Sequence, residues 1–225
     1  VTITKQNYYR YTSMVEVIPP EGPYIVQNAV EINDAAGNGN GIMETSEPIL
    51  ASITVKNVGI EDATNVVVTI ETADEYVTIT DNTESYGTVA AGATAVVSNG
   101  FAWDVANNIP DIHIVVFEMN ATDGNGTWTT FFSVECHGPL IEFGALTIDD
   151  SQGNNNARLD PGETAILIIP TYNNGSFHAL NVVGSITCPC GFVTINNLTY
   201  NLNEIGPGLM EVAAFSVSVS PGAPV

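Results

Sequence analysis

Apolar and polar residues alternate along most of this chain with the period of two that marks half-buried β-strands. The alternation covers residues 51–55, 65–71, 76–80, 95–98, 101–105 and 113–119. These runs are rich in Val, Ile and Thr and are separated by Gly, Asn and Asp. Asp123-Gly124 and Asn125-Gly126 predict the tip of a hairpin ahead of a further strand over 128–134. No window carries the longer period of a helix. Short strands at this spacing predict an all-β protein of immunoglobulin-like β-sandwiches.

A longer period says how many. Asp34-Ala-Ala-Gly37-Asn38-Gly-Asn40-Gly41 returns as Asp150-Ser-Gln-Gly153-Asn154-Asn-Asn156-Ala157, a shift of 116 residues. The same shift lays Asn57-Val-Gly59 on Asn173-Asn-Gly175 and Tyr76-Val-Thr-Ile79 on Phe192-Val-Thr-Ile195. The prediction is therefore two tandem modules, one over 24–136 and one over 137–225. Residues 1–20 align with the end of a repeat, because Gly22-Pro23 falls on Gly138-Pro139. They read as the terminal strands of a preceding immunoglobulin-like module. Module two has no counterpart of 113–119 or 128–134. It is expected to be C-terminally incomplete, short of about half a dozen inward apolar side chains. Any covering strands, from the same chain or a neighbour, are expected beside residues 210–219.

Charge narrows the partners. The chain has 25 Asp and Glu against 4 Lys and Arg, a formal charge of −21. That excludes nucleic acid, whose phosphates require basic patches, and it excludes attraction to anionic membranes. It suits an extracellular surface or one that collects divalent cations. No apolar run approaches the roughly 18 residues of a membrane helix, so no membrane insertion is expected. Cys188-Pro-Cys190 is too tight for an easy mutual disulfide. One of the two pairs with Cys136 in one reading; in the other all three are unpaired small hydrophobes.

The repeated loop carries the candidate chemistry. Laid on the spacing of an EF-hand calcium loop, the first copy offers Asn38, Asn40, the carbonyl of Ile42, Glu44 and Glu47. The second offers Asn154, Asn156, the carbonyl of Arg158, Asp160 and Glu163. Amide, carbonyl and carboxylate oxygens are the hard ligands calcium takes in flexible geometry. The opening acid departs from the pattern: Asp34 and Asp150 stand two residues early, and Ala157 replaces the turn glycine. The other reading is an Asn/Gly turn with solvated acids. His113, His137 and His178 are scattered, and Cys136-His137 are chain neighbours with no third group to orient them, so no enzyme activity is expected. Trp103, Trp128 and the tyrosines are candidates for a glycan platform, although strand aromatics more often lie in the core.

Several phrases carry a family resemblance: Thr4-Lys-Gln-Asn-Tyr-Tyr-Arg-Tyr11, Gly22-Pro-Tyr-Ile-Val26, residues 32–41, Lys56-Asn-Val-Gly59, Tyr76-Val-Thr-Ile-Thr-Asp81 and residues 101–110. They resemble the region that follows the catalytic domain in gingipain-like cysteine peptidases of Bacteroidetes. There an immunoglobulin-like domain is followed by tandem β-sandwich modules with Asp/Asn-rich loops. The resemblance implies type IX secretion and display at the cell surface. The peptidase His and Cys lie upstream in that family, and no residue here matches them. The expected role is a non-catalytic, calcium-stabilised spacer or adhesion module whose partners are neighbouring modules. Alternatives are binding of a surface glycan or protein, or a fibre built by strand exchange between neighbouring copies.

Overall fold

Among the described residues every regular element is a strand. The computed structural model describes residues 21–224 together with Thr2, Ile3, Gln6, Tyr9, Tyr11 and Thr12. At the start, β1 (Thr2–Ile3) and β2 (Tyr11–Thr12) pair antiparallel, with Thr2 opposite Thr12 and Ile3 opposite Tyr11. The strand expected over residues 14–18 lies outside the described residues.

The first sandwich contains β3 (Ile25–Asn33), β4 (Met43–Glu44), β5 (Pro48–Asn57), β6 (Ala63–Glu71), β7 (Val77–Asp81), β8 (Thr83–Val89), β9 (Thr94–Val105), β10 (His113–Thr122) and β11 (Thr127–His137). One sheet runs β3-β5-β9-β7, and the facing sheet runs β4-β11-β10-β6-β8. The alternating residues bury a core in which Trp103, Phe117 and Phe132 stand in series, with centroids 4.7 and 4.9 Å apart. The indole N–H of Trp103 reaches Met43 Sδ at 3.2 Å, so the loop holding Met43 is tied to the core. The runs 95–98 and 101–105 are a single strand, β9. A bulge absorbs the break: Asn99 takes φ 53° and donates its N–H to Ser52 Oγ at 2.9 Å. Three strands, β3, β4 and β8, lie outside the runs picked out by alternation: β3 carries a bulge after Gln27, β4 is only two residues long, and β8 holds mostly polar residues.

The second sandwich contains β12 (Ile141–Phe143), β13 (Thr147–Asp149), β14 (Thr164–Asn173), β15 (Ala179–Ser185), β16 (Val193–Ile195), β17 (Thr199–Ile205) and β18 (Met210–Val219). Its first sheet, β12 and β13 on β14, then β18 and β16, repeats the β3-β5-β9-β7 sheet. Its second sheet holds only β15 and β17 among the described residues. Nothing described there takes the place that β10 takes beside β6. This corrects one expectation. Strand β18 is paired on both sides, so the uncovered edge lies at β15, not beside 210–219. The reason is that β10 and β11 extend the sheet of β6, not the sheet of β9. Consequently Ile141, Leu167, Ile169 and Val182 stay only half-buried around Phe215.

The repeated Asn-x-Gly is structural. Asn57 is fully buried: its Oδ1 accepts N–H groups from Tyr24 and Gly59, and its Nδ2 donates to the carbonyls of Glu61 and Val89. Asn173 makes the same four bonds with Leu140, Gly175, Phe177 and Ile205. Each glycine lets the turn pass against the carbonyl of Gly22 or Gly138, where a Cβ would collide.

Candidate metal centre

The chain leaves β3 at Asn33 and folds back so that Asp34, Glu44 and Glu47 converge. Their carboxylates each place an oxygen within 4.8 Å of the others. All three side chains are buried, at 2, 5 and 6 % exposure. Backbone N–H groups hold the frame: Asn40 and Gly41 donate to Asp34 at 2.9 and 3.0 Å, while Asn38 and Glu44 each donate to Glu47 at 3.2 Å. The side-chain amides of Asn38 and Asn40 contact the two oxygens of Glu44 at 2.5 and 3.0 Å. Gly37 is required because a Cβ there would strike Glu47. The side chain of Ile42 points outward, and its N–H bonds Asn40 Oδ1 at 2.7 Å.

The second loop reproduces this frame bond for bond. Asn156 and Ala157 donate to Asp150, Asn154 and Asp160 donate to Glu163, and the amides of Asn154 and Asn156 both reach Asp160 at 2.7 Å. Ala157 holds φ 61° where Gly41 holds 80°, so the left-handed turn survives the substitution with a steric cost. Asp150 is buried, but Asp160 and Glu163 are only half-buried, and Arg158 is exposed. The difference has a source outside the loop. In module one Met43 and Glu44 pair in parallel with Cys136 and His137 of β11, a contact that spacing along the loop does not reveal.

The charges follow from these surroundings. Among the described residues the ion pairs are all made by histidines, His113 with Asp74, His137 with Glu135 and His178 with Glu204. Among the described residues no Lys or Arg therefore neutralises the first cluster. Burial, and then the charges of Glu44 and Asp34, hold the Glu47 carboxyl above its usual range against the pull of the Asn38 amide. In the exposed second loop, bonds from Asn154 and Asn156, aided by Arg158, hold Asp160 below the usual range. Three buried carboxylates with no counter-charge among the described residues, ringed by amides, fit a hard divalent cation.

The remaining candidates disperse. Cys136 is buried in the first core while Cys188 and Cys190 are exposed, and all three are free thiols. Burial pushes the Cys136 thiol up to about 12, far from a nucleophile's range. Trp103 is fully buried and Trp128 half-buried against Tyr24, so no platform includes both indoles. At the junction of the modules His137 Nδ1 lies 2.6 Å from Ser176 Oγ and its Nε2 lies 3.3 Å from Glu135. That order resembles a hydrolase triad, but the Ser176 hydroxyl donates to Asp111. Its proton is therefore directed away from the imidazole. Burial opposes ionisation of Asp111, but bonds from Ser176 and the Gly138 amide outweigh it and lower its pKa. The trio works as a clamp between modules.

Fold and site together define a tandem all-β protein of sandwich type. No family model matches the chain, and no curated protein matches it. Solved structures that match include a protein of unknown function from Porphyromonas gingivalis W83. It shows 15 % identity and a TM-score of 0.25, over 80 % of this chain and 78 % of that one. Another is the CsuC–CsuE chaperone–tip adhesion subunit complex of Acinetobacter baumannii, at 10 % identity and a TM-score of 0.24, over 76 % and 84 %. Among the described residues no helix is long and apolar enough to cross a membrane.

Proposed function

We propose that these modules are non-catalytic spacer or adhesion units of a larger secreted or surface-displayed bacterial protein, and that calcium sets the loop of each module. The observation that carries the calcium reading is the cluster of Asp34, Glu44 and Glu47, buried and without a basic partner among the described residues. A bound cation supplies the missing positive charge and ties the loop between β3 and β5 to the end of β11 through Glu44. Asn38 and Asn40 already rest on Glu44, and rotation of either amide offers an oxygen in place of its nitrogen. The loop then becomes a rigid brace, as a spacer under load requires. The strongly acidic surface and the resemblance to modules of exported peptidases support an extracellular setting, where calcium is abundant.

The test is calorimetry of the whole chain. Calcium should bind with measurable heat, and the melting temperature should climb with its concentration and return on chelation. A titration without heat, with a melt indifferent to chelator, would remove the metal from this reading.

A further inference from the structure

Module two carries a pair of thiols at a corner where module one carries two oxygen groups. The 116-residue shift lays Cys188 on Thr72 and Cys190 on Asp74. Both pairs stand in the turn between equivalent strands, β6 to β7 in module one and β15 to β16 in module two. The two turns close in the same way. The Asp74 N–H donates to Thr72 Oγ1 at 3.2 Å, and the Cys190 N–H donates to Cys188 Sγ at 3.4 Å. In module one both side chains then grip β10: Thr72 Oγ1 donates to the Val116 carbonyl, and Asp74 Oδ2 meets His113 Nε2 at 2.7 Å. In module two both cysteines are exposed and neither is in a disulfide. A threonine hydroxyl builds the same turn, so the fold of this corner does not call for sulfur.

The pair is arranged as a chelate. Pro189 fixes its own φ at about −65° and presses Cys188 into extended backbone. The Cys188 sulfur already rests on the Cys190 amide, so rotation about one side-chain bond of Cys190 brings the second sulfur alongside it. Gly191 follows, and apart from its chain neighbours no described atom lies within 4 Å of the place a Cβ would take, which leaves the approach open. The surrounding sequence selects the ion. Residues 179–203 contain no Asp, Glu, His, Lys or Arg. Neither a hard cation nor zinc, which takes four ligands, finds its remaining donors in that segment. Among the soft ions that thiolates select, copper(I) is the one that two sulfurs satisfy.

We infer that Cys188 and Cys190 form a two-thiolate site for copper(I) at the turn between β15 and β16. Each sulfur gives its proton to solvent and forms one bond to the ion, so binding releases two protons and transfers no electron. The site is separate from the carboxylate loops and does not depend on calcium.

Anaerobic titration of the whole chain with copper(I) held as its bicinchoninate complex tests this. The chain should withdraw one ion per molecule and bleach the complex, and X-ray absorption at the copper edge should show two sulfur neighbours. Bound copper(I) should also shield both thiols from alkylation. Cys188→Ser and Cys190→Ser should keep the fold, because both side chains are exposed and Thr72 builds the same turn with a hydroxyl. Each should weaken uptake by about a hundredfold or more, the gain that a linked second donor provides. Zinc at the same concentration should stay on a competing chelator. Failure to withdraw copper(I) would overturn the inference. So would uptake that either serine variant retains, or a stoichiometry of two chains per ion, which places the site between copies. Zinc held in preference to copper(I) would overturn it as well, since that requires donors beyond the two sulfurs.

Discussion

Replacing Glu44 by glutamine should shift stability in opposite directions with and without calcium. The side chain keeps its shape, and one oxygen remains for the amides of Asn38 and Asn40. Without metal, at 4.8 Å and an effective dielectric of about 20, each carboxylate pair repels by about 3 kcal/mol. The lost charge-assisted hydrogen bond costs about 1.5–3 kcal/mol, less than the relief of two repulsions, so the chelated variant should be the more stable. With calcium the order reverses. A native site at a hundredfold excess over its dissociation constant contributes about 2.7 kcal/mol, whereas a hundredfold loss of affinity leaves about 0.4 kcal/mol. For a module of this size that is a calcium-induced rise of about 10–20 °C in the native chain against about 2–3 °C in the variant. Scanning calorimetry of both chains, in calcium and in chelator, reads all four values. Equal calcium responses, or a chelated variant less stable than the chelated native chain, would refute the electrostatic account. The pH dependence has the same origin. The Glu47 pKa is raised from 4.5, so between that value and its folded value the native state holds more protons than the unfolded one. In chelator this term strengthens the fold as pH falls from neutral through that window. In calcium, protons compete for the same carboxylates, and the calcium-induced rise should shrink as pH falls.

Ala157→Gly should stabilise module two by about 1 kcal/mol, since Ala157 occupies a left-handed turn at φ 61°; thermal melting reads it. Asn173→Ala should cost about 3 kcal/mol or more in denaturant unfolding, because it strands the amides of Leu140 and Gly175 and the carbonyls of Phe177 and Ile205. Alkylation of the native chain should modify Cys188 and Cys190 quickly and Cys136 only after unfolding, as mass spectrometry of timed aliquots will show.

Much of this architecture is legible in the sequence because a repeat states each constraint twice. Asn57-Val-Gly59 and Asn173-Asn-Gly175 stand out by recurrence, although nothing in their chemistry announces a buried amide that joins four backbone groups. The strands of the first core follow from alternation, since Trp103, Phe117 and Phe132 fall on inward positions. Strand β8 escapes that logic because only Val89 of its seven residues is buried. The spacing of the first loop picks out Asp34, Glu44 and Glu47, whose carboxylates the fold brings together, while Asn38 and Asn40 turn their amide nitrogens to Glu44. The unequal burial of the two loops is not legible there, because it is decided by a strand distant in the chain.

That dependence ties the two halves of the molecule's chemistry together. Glu44 is buried because Met43 and Glu44 pair with Cys136 and His137 at the end of β11. In module two the equivalent Leu159 and Asp160 meet no such strand, and Asp160 stays in contact with solvent, where water screens its charge. Calcium should therefore bind the first loop more tightly than the second, because only the first holds its three carboxylates buried together. Calorimetry that resolves two unequal sites in the whole chain reads the difference. Equal affinities would show that burial of Glu44 by the end of β11 is not what matures the first loop.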